Sequence, residues 1–90
     1  MNGLSDSSKP KLAAGCRWGG SEGARVVLFP EGAIRVQGTG LRILELCDGD
    51  RTFADVVTEL ERQYTQAREH IRDDAMRFLE QLREKRIVDY

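Results

Sequence analysis

The stretch Arg25–Asp50, RVVLFPEGAIRVQGTGLRILELCDGD, decides the fold of this chain. It opens with Val26 to Phe29, which are apolar in succession and predict a strand with apolar side chains on both faces. Pro30 ends this strand, and Gly32 can adopt the positive φ that a tight turn requires. A hairpin is therefore predicted around the Pro-Glu-Gly sequence.

A second strand is predicted directly after the turn. From Ala33 to Gln37 the residues alternate, with Ile34 and Val36 on one face and Arg35 among those on the other. A strand with one apolar face is expected to be half-buried and to lie at the edge of its sheet. Replacing Val36 by Pro is accordingly expected to remove a backbone donor from this edge and to leave the fold intact.

A short helix is predicted after this strand. Gly38, Thr39 and Gly40 interrupt the alternation, and Thr39 is the predicted N-cap of a helix that begins at about Leu41. Gly49 suits the left-handed position that follows a helix and predicts its end. Because the helix is apolar on more than one side, we expect it to be sandwiched between other elements. Its apolar residues are Leu41, Ile43, Leu44, Leu46 and Cys47.

The chain before Arg25 carries weaker signals. Residues 1–10 are polar and lack periodicity, which predicts a mobile tail that contributes little to the fold. Residues 11–90 then form one small domain. A first strand of low propensity is centred on Cys16, Arg17 and Trp18.

Two further helices are predicted in the second half of the chain. Thr52 and Asp55 match a capping box, and an apolar stripe at helical spacing follows, made of Phe53, Val56, Val57, Leu60 and Tyr64. Gln66 to His70 form a predicted polar connection. A third stripe consists of Ile71, Ala75, Phe78, Leu79 and Leu82. Ile87 and Val88 are expected to fold back on the core.

The predicted order, three strands and then three helices, describes an α+β domain with a three-stranded antiparallel sheet, similar to a winged helix-turn-helix. That similarity raises DNA binding, with the third helix docked in a major groove. Residues 71–86, however, contain five basic and four acidic side chains. Such a balance does not provide the basic surface that phosphate contacts require.

Composition argues against several other classes of protein. The 14 Lys and Arg residues nearly balance the 15 Asp and Glu residues, so no overall field attracts nucleic acid or an anionic membrane. No apolar run approaches the roughly 18 residues of a membrane span, and no secretion signal is evident, so a cytoplasmic location is expected. Cys16, Cys47 and the single His70 are too few and too scattered for a zinc site or a nucleophile pair. We expect no catalytic residue, metal or cofactor.

The predicted edge strand is the remaining functional feature. Its unpaired N–H and C=O groups can accept an extended peptide as an additional strand. The doubly apolar strand Val26–Phe29 indicates that something else covers the second sheet face, either the N-terminal segment or a second copy of the chain, and the second copy would form a structural homodimer. Peptide binding, DNA binding and dimerisation stay open at this point.

Two motifs carry a resemblance to a known family. Val27–Gly32 (VLFPEG) and Ile43–Gly49 (ILELCDG), followed by a helix that opens at Thr52, resemble the PqqD family of pyrroloquinoline quinone biosynthesis proteins. The resemblance covers about Lys11 to Val88. It implies the fold of a RiPP recognition element and the role of a peptide chaperone. Such a chaperone holds the precursor peptide PqqA and presents it to the radical SAM enzyme PqqE without catalysing a reaction itself.

The expected peptide site combines a strand and a groove. The predicted edge strand, made of Ala33, Ile34, Arg35, Val36 and Gln37, receives the peptide as an antiparallel strand. Apolar peptide side chains enter a groove beside the first and third helices, for which the candidates are Leu41, Leu44, Ala75, Phe78 and Leu82. By spacing alone each of these five is more often a core residue, so both roles stay open.

Overall fold

The chain forms a three-stranded antiparallel sheet with three helices, and a small second sheet joins its two ends. The computed structural model describes residues 3–90. Its strands are β1 (Lys11–Leu12), β2 (Arg17–Ser21), β3 (Ala24–Phe29), β4 (Gly32–Arg35) and β5 (Val88–Asp89). Its helices are α1 (Gly38–Leu46), α2 (Phe53–Gln63) and α3 (Arg68–Glu84), with a 3-10 turn at Thr65–Ala67. The predicted three-stranded sheet and three helices are confirmed.

The main sheet has the order β2-β3-β4, and its two faces differ in what they contact. Trp18, Val27 and Ile34 are cross-strand neighbours and therefore point to the same face. This inner face packs against the helices, with Val27 fully buried. Val26 and Leu28 point to the opposite, outer face and lie outside the core cluster. Only one of the two apolar faces of β3 thus meets the core.

The N-terminal segment packs against the start of α2. Leu4 is only 8% exposed. The backbone N–H of Phe53 donates to the carbonyl of Ser8 at 2.7 Å, and the N–H of Ala54 donates to the carbonyl of Asp6 at 3.1 Å. The segment thereby satisfies helical amides that have no partner within α2. The expectation that residues 1–10 contribute little to the fold is therefore wrong for residues 4–10, which make these contacts, and its part at residues 1 and 2 lies outside the described residues.

The second sheet, β1 with β5, was not predicted. Leu12 pairs with Val88, and the N–H of Ala13 donates to the carbonyl of Ile87 at 2.9 Å. Both Ile87 and Val88 are buried, at 0% and 1% exposure. The prediction that they fold back on the core is confirmed. Two-residue strands carry too little periodicity to be recognised in the sequence.

The first helix begins earlier than predicted. Its N-cap is Gln37, which makes no side-chain capping bond, and Thr39 already lies inside the helix. Gly38, with φ of 62°, turns the chain from strand to helix. The helix therefore begins without a capping hydroxyl. At the other end Cys47 is the C-cap, so Gly49 lies one position beyond its predicted place. Its φ of 83° nevertheless confirms the left-handed backbone.

The second and third helices follow their predicted stripes. The capping box at α2 is confirmed, because the Thr52 hydroxyl accepts from the N–H of Asp55 and the Asp55 carboxylate accepts from the N–H of Thr52, both at 3.1 Å. α3 begins at Arg68, so the predicted polar connection is wrong for residues 68–70, which are helical. Polar residues on the exposed side of a first turn carry no periodic signal that distinguishes them from a loop.

We expect Leu4→Ala to lower the free energy of unfolding by about 2 kcal/mol, since a buried leucine side chain is removed from the core. Urea denaturation followed by circular dichroism measures this change. Lys9→Ala is the matched control, because Lys9 is an exposed residue of the same segment, and surface substitutions usually stay within about 0.5 kcal/mol. Equal stabilities of the two variants would restore the mobile-tail prediction.

Candidate functional site

The main sheet has two edge strands, β2 and β4, and each has β3 as its only strand neighbour among residues 3–90. The edge that the sequence predicted is β4, and its free side is called the open edge. The N–H of Val36 donates to the carbonyl of Arg25 at 3.0 Å, just past the end of the ladder. In an antiparallel pair, residues alternate between those bonded to the neighbouring strand and those facing away from it. Ile34, two residues before Val36, is therefore bonded to β3. The N–H and C=O groups of Ala33 and Arg35 face the open edge.

The predicted edge residues divide into two groups. Ala33 and Arg35 are exposed and present free backbone groups. Val36 is 7% exposed and its N–H is already used within the sheet, while Gln37 has left the strand as the N-cap of α1. The expectation that Val36→Pro leaves the fold intact is therefore wrong, because the substitution removes an internal hydrogen bond and a buried side chain.

Three of the five predicted groove residues lie in the core. Leu44, Ala75 and Leu82 are 1%, 0% and 6% exposed. Their side chains hold α1 and α3 in place and are not available to a peptide on the surface. Leu41 and Phe78 are half-buried and keep an accessible surface.

Phe78 marks the place where α3 approaches the junction of β4 and α1. A Cβ atom added to Gly40 would lie only 3.1 Å from the Cζ atom of the Phe78 ring. The ring therefore packs directly on the backbone at the first turn of α1. Asp74 and Gln81, at helical spacing from Phe78, continue the same side of α3 and are exposed.

Leu41 lines a different cleft, which the sequence did not predict. This cleft, of about 610 Å³, lies between α1 and the hairpin of β2 and β3. In its wall the guanidinium of Arg25 lies 4.3 Å from the centre of the Trp18 ring and 3.7 Å from the carboxylate of Glu45. The register of β2 and β3 brings Trp18 and Arg25 together, and α1 provides Glu45. The residues that line this cleft include Leu41 and do not include Phe78.

The sequence of this chain is similar to those of several known proteins. The family model described as coenzyme PQQ synthesis protein D (PqqD) matches residues 24–88. The PqqA binding protein of Azotobacter vinelandii is 32% identical over 82 residues, covering 89% of this chain and 88% of that protein. The PqqA binding protein of Methylococcus capsulatus is 42% identical over 48 residues, covering 53% of this chain and 52% of that protein.

A solved structure is also similar over nearly the whole chain. It is the solution structure of the PqqD part of PqqCD from Methylobacterium extorquens, described as a functional and stand-alone RiPP recognition element. The TM-score is 0.77 at 27% identity, and the match covers 97% of this chain and 95% of that one. The fold of the two proteins is therefore the same.

The side chains with potential for other chemistry are dispersed. Within residues 3–90 no group of three or more His, Cys, Asp or Glu side chains is placed to hold a metal ion. In the same range no helix has both the length and the hydropathy needed to cross a membrane.

The Cys47 thiol is buried and donates to the carbonyl of Ile43 at 3.2 Å. Burial, together with a smaller contribution from the charge of Asp48, raises the pKa of Cys47 to about 12.

We expect iodoacetamide to alkylate Cys16 at pH 8 while Cys47 stays unmodified until the protein unfolds. The thiolate is the reactive species, and a pKa of about 12 leaves almost none of it at that pH. Mass spectrometry of the native and urea-unfolded protein measures the difference, and Cys16→Ser provides a chain with Cys47 as its sole thiol. Rapid alkylation of that folded variant would contradict the buried position of Cys47.

Proposed function

The chain belongs to the PqqD family, that of coenzyme PQQ synthesis protein D, and on this premise we propose that it binds the precursor peptide PqqA in PQQ biosynthesis. The observation that carries the proposal is the open edge of β4. There, Ala33 and Arg35 present backbone donors and acceptors that β3 does not use. Relatives named as PqqA binding proteins and a structure described as a RiPP recognition element support the same function.

The proposed mechanism is strand addition. The peptide pairs with β4 as a fourth antiparallel strand, and its backbone hydrogen bonds to Ala33 and Arg35 provide affinity. Alternate peptide side chains then extend the inner face of the sheet, next to the half-buried Ile34. The Phe78 ring, packed at the junction of β4 and α1, provides an apolar contact at the end of the strand. Selectivity comes from these side chains, since backbone pairing is independent of sequence.

We further propose that this chain holds the peptide for the radical SAM enzyme PqqE and performs no chemical step itself. The resemblance of the two sequence motifs to the PqqD family implies this partner. A peptide bound along one strand edge keeps its ends and outward side chains accessible to a second protein. This geometry is compatible with presentation of the peptide to PqqE. The names of the relatives describe binding and not catalysis.

The charge on α3 disfavours the DNA-binding alternative. The side of α3 that faces away from the core carries Arg77, Glu80, Gln81 and Glu84, of mixed sign. A recognition helix needs a basic footprint to neutralise phosphates. In addition, the solved structure that resembles this chain is described as a RiPP recognition element and not as a DNA-binding protein.

A homodimer is a second candidate, favoured by the outer face of the sheet. Val26 and Leu28 are half-buried there and do not belong to the core cluster. A second copy would cover them without using the open edge of β4. Light scattering at rising protein concentration tests this candidate, and we expect the mass to double in the wild type and to stay monomeric in Leu28→Glu. A monomer at all concentrations would exclude the dimer.

We expect Ala33→Pro to weaken PqqA binding about two- to twelve-fold, the effect of losing one hydrogen bond of about 0.5–1.5 kcal/mol. The outward N–H of Ala33 has no partner in β3, so proline removes a donor for the peptide without breaking the sheet. Fluorescence anisotropy with a labelled PqqA peptide measures affinity, and thermal melting reports the fold. Ala33→Val, which keeps the N–H, is the matched control.

An amide NMR titration on the wild type accompanies this variant. Saturable shifts at Ala33, Arg35 and Phe78 are expected if the peptide adds to β4. A folded Ala33→Pro protein that binds PqqA like the control would refute strand addition at this edge. Shifts confined to the cleft of Trp18 and Leu41 would move the binding site to the other side of α1.

A further inference from the structure

The open edge carries an arginine without an acidic partner. Arg35 is exposed, and no carboxylate of residues 3–90 forms an ion pair with its guanidinium. Several other arginines of the same range are paired with carboxylates of this chain, namely Arg25, Arg42, Arg51, Arg62 and Arg72. The guanidinium of Arg35 is therefore available to pair with an anionic group from outside the described residues.

The register fixes where this cation meets a bound strand. Arg35 is paired with Val26 in β3 and points with it to the outer face. Its backbone N–H and C=O face the open edge, so an added strand places one of its residues directly opposite Arg35. Side chains of directly opposite residues lie on the same face with Cβ atoms about 4.5–5.5 Å apart. The residue opposite Arg35 is therefore within reach of the guanidinium.

We infer that Arg35 selects an acidic residue in the bound peptide, an inference that rests on the proposed strand addition. An opposite charge placed directly across from Arg35 stabilises the pair of strands, whereas a like charge destabilises it. Because Arg35 is solvent-exposed, the contribution is that of a surface ion pair and screening by salt weakens it. Arg35 therefore sets peptide preference and register more than overall affinity.

The neighbouring position on the same face has the opposite preference. Two residues before Arg35 stands Ala33, whose cross-strand neighbour is Leu28. These side chains offer a small apolar surface that favours an apolar peptide residue opposite Ala33. In an antiparallel strand the residue opposite Arg35 precedes the one opposite Ala33 by two positions. The preferred peptide thus contains an acidic residue, any residue, and then an apolar residue, with the first and third side chains pointing away from the helices.

Arg17 provides a matched control for charge. It is also exposed, also without a carboxylate partner among residues 3–90, and its register partner Leu28 places it on the same outer face. It belongs to β2, however, on the far side of β3. Strands lie about 4.8 Å apart, so three strand spacings, roughly 14 Å, separate Arg17 from an added strand. This distance exceeds the Debye length of about 8–10 Å at physiological salt.

The test compares Arg35→Glu with Arg17→Glu, which change the net charge equally. We expect Arg35→Glu to weaken binding of a labelled PqqA peptide by about five-fold or more and Arg17→Glu to change it by less than about two-fold, measured by fluorescence anisotropy at low salt. A panel of PqqA peptides, each with one acidic residue replaced by Lys, identifies the acidic residue that pairs with Arg35. One of these peptides should bind the wild type more weakly than the parent peptide does, and should bind Arg35→Glu more tightly than the parent does.

Four outcomes would overturn the inference. Equal losses in Arg35→Glu and Arg17→Glu would assign the effect to overall charge. No loss in either variant, or no peptide whose Lys substitution is rescued by Arg35→Glu, would show that Arg35 does not select the peptide while leaving PqqA binding intact. Failure of the wild type to bind PqqA at all would overturn the proposed function, and the inference with it. Should Arg35→Glu fail to fold, Arg35→Gln replaces it, with an expected loss of about two-fold and a weaker salt dependence of binding.

Discussion

Antiparallel pairing between β3 and β4 is the constraint on which the site depends. Each residue of β4 directs its backbone groups either to β3 or to the open edge, and the two directions alternate along the strand. Val36 donates to Arg25 and fixes this alternation. Ala33 and Arg35 are consequently the residues that can pair with an added strand. The same register places their side chains on the outer face, so one set of hydrogen bonds fixes both the backbone groups and the side chains that this edge presents.

The core holds this edge in position without contributing to its surface. Leu44, Ala75 and Leu82 are buried between α1 and α3, and the Phe78 ring rests on the backbone of Gly40 because no side chain intervenes there. The N-terminal segment packs on α2, and the β1–β5 pair joins the two ends of the chain. Neither of them pairs with β4, whose ladder within the described chain involves β3 alone. The N-terminal segment and the β1–β5 pair thus add contacts within the domain and leave the edge of β4 unpaired within the described residues.

Much of this fold was predictable because its signals are local. The capping box at Thr52 and Asp55 depends on residues three positions apart, and the hairpin turn depends on Pro30 and Gly32. The apolar stripes of α2 and α3 likewise follow from helical periodicity. The contacts of the N-terminal segment were missed because polar backbone groups, and not an apolar pattern, attach most of it to α2. The β1–β5 pair was missed because two residues in a strand leave no period to detect.

The sequence by itself determined the element order, the edge position of β4 and the resemblance to the PqqD family, since each of these depends on residue types at short spacing. Only the tertiary structure decided which residues of that edge are available. Burial separated Phe78 from Leu44, Ala75 and Leu82, although all four have the same apolar spacing signal. The register separated Arg35 from Val36, because the direction of a backbone N–H depends on which residue of the neighbouring strand lies opposite. Pairing between strands is a relation between distant parts of the chain, and alternation within one strand does not specify it.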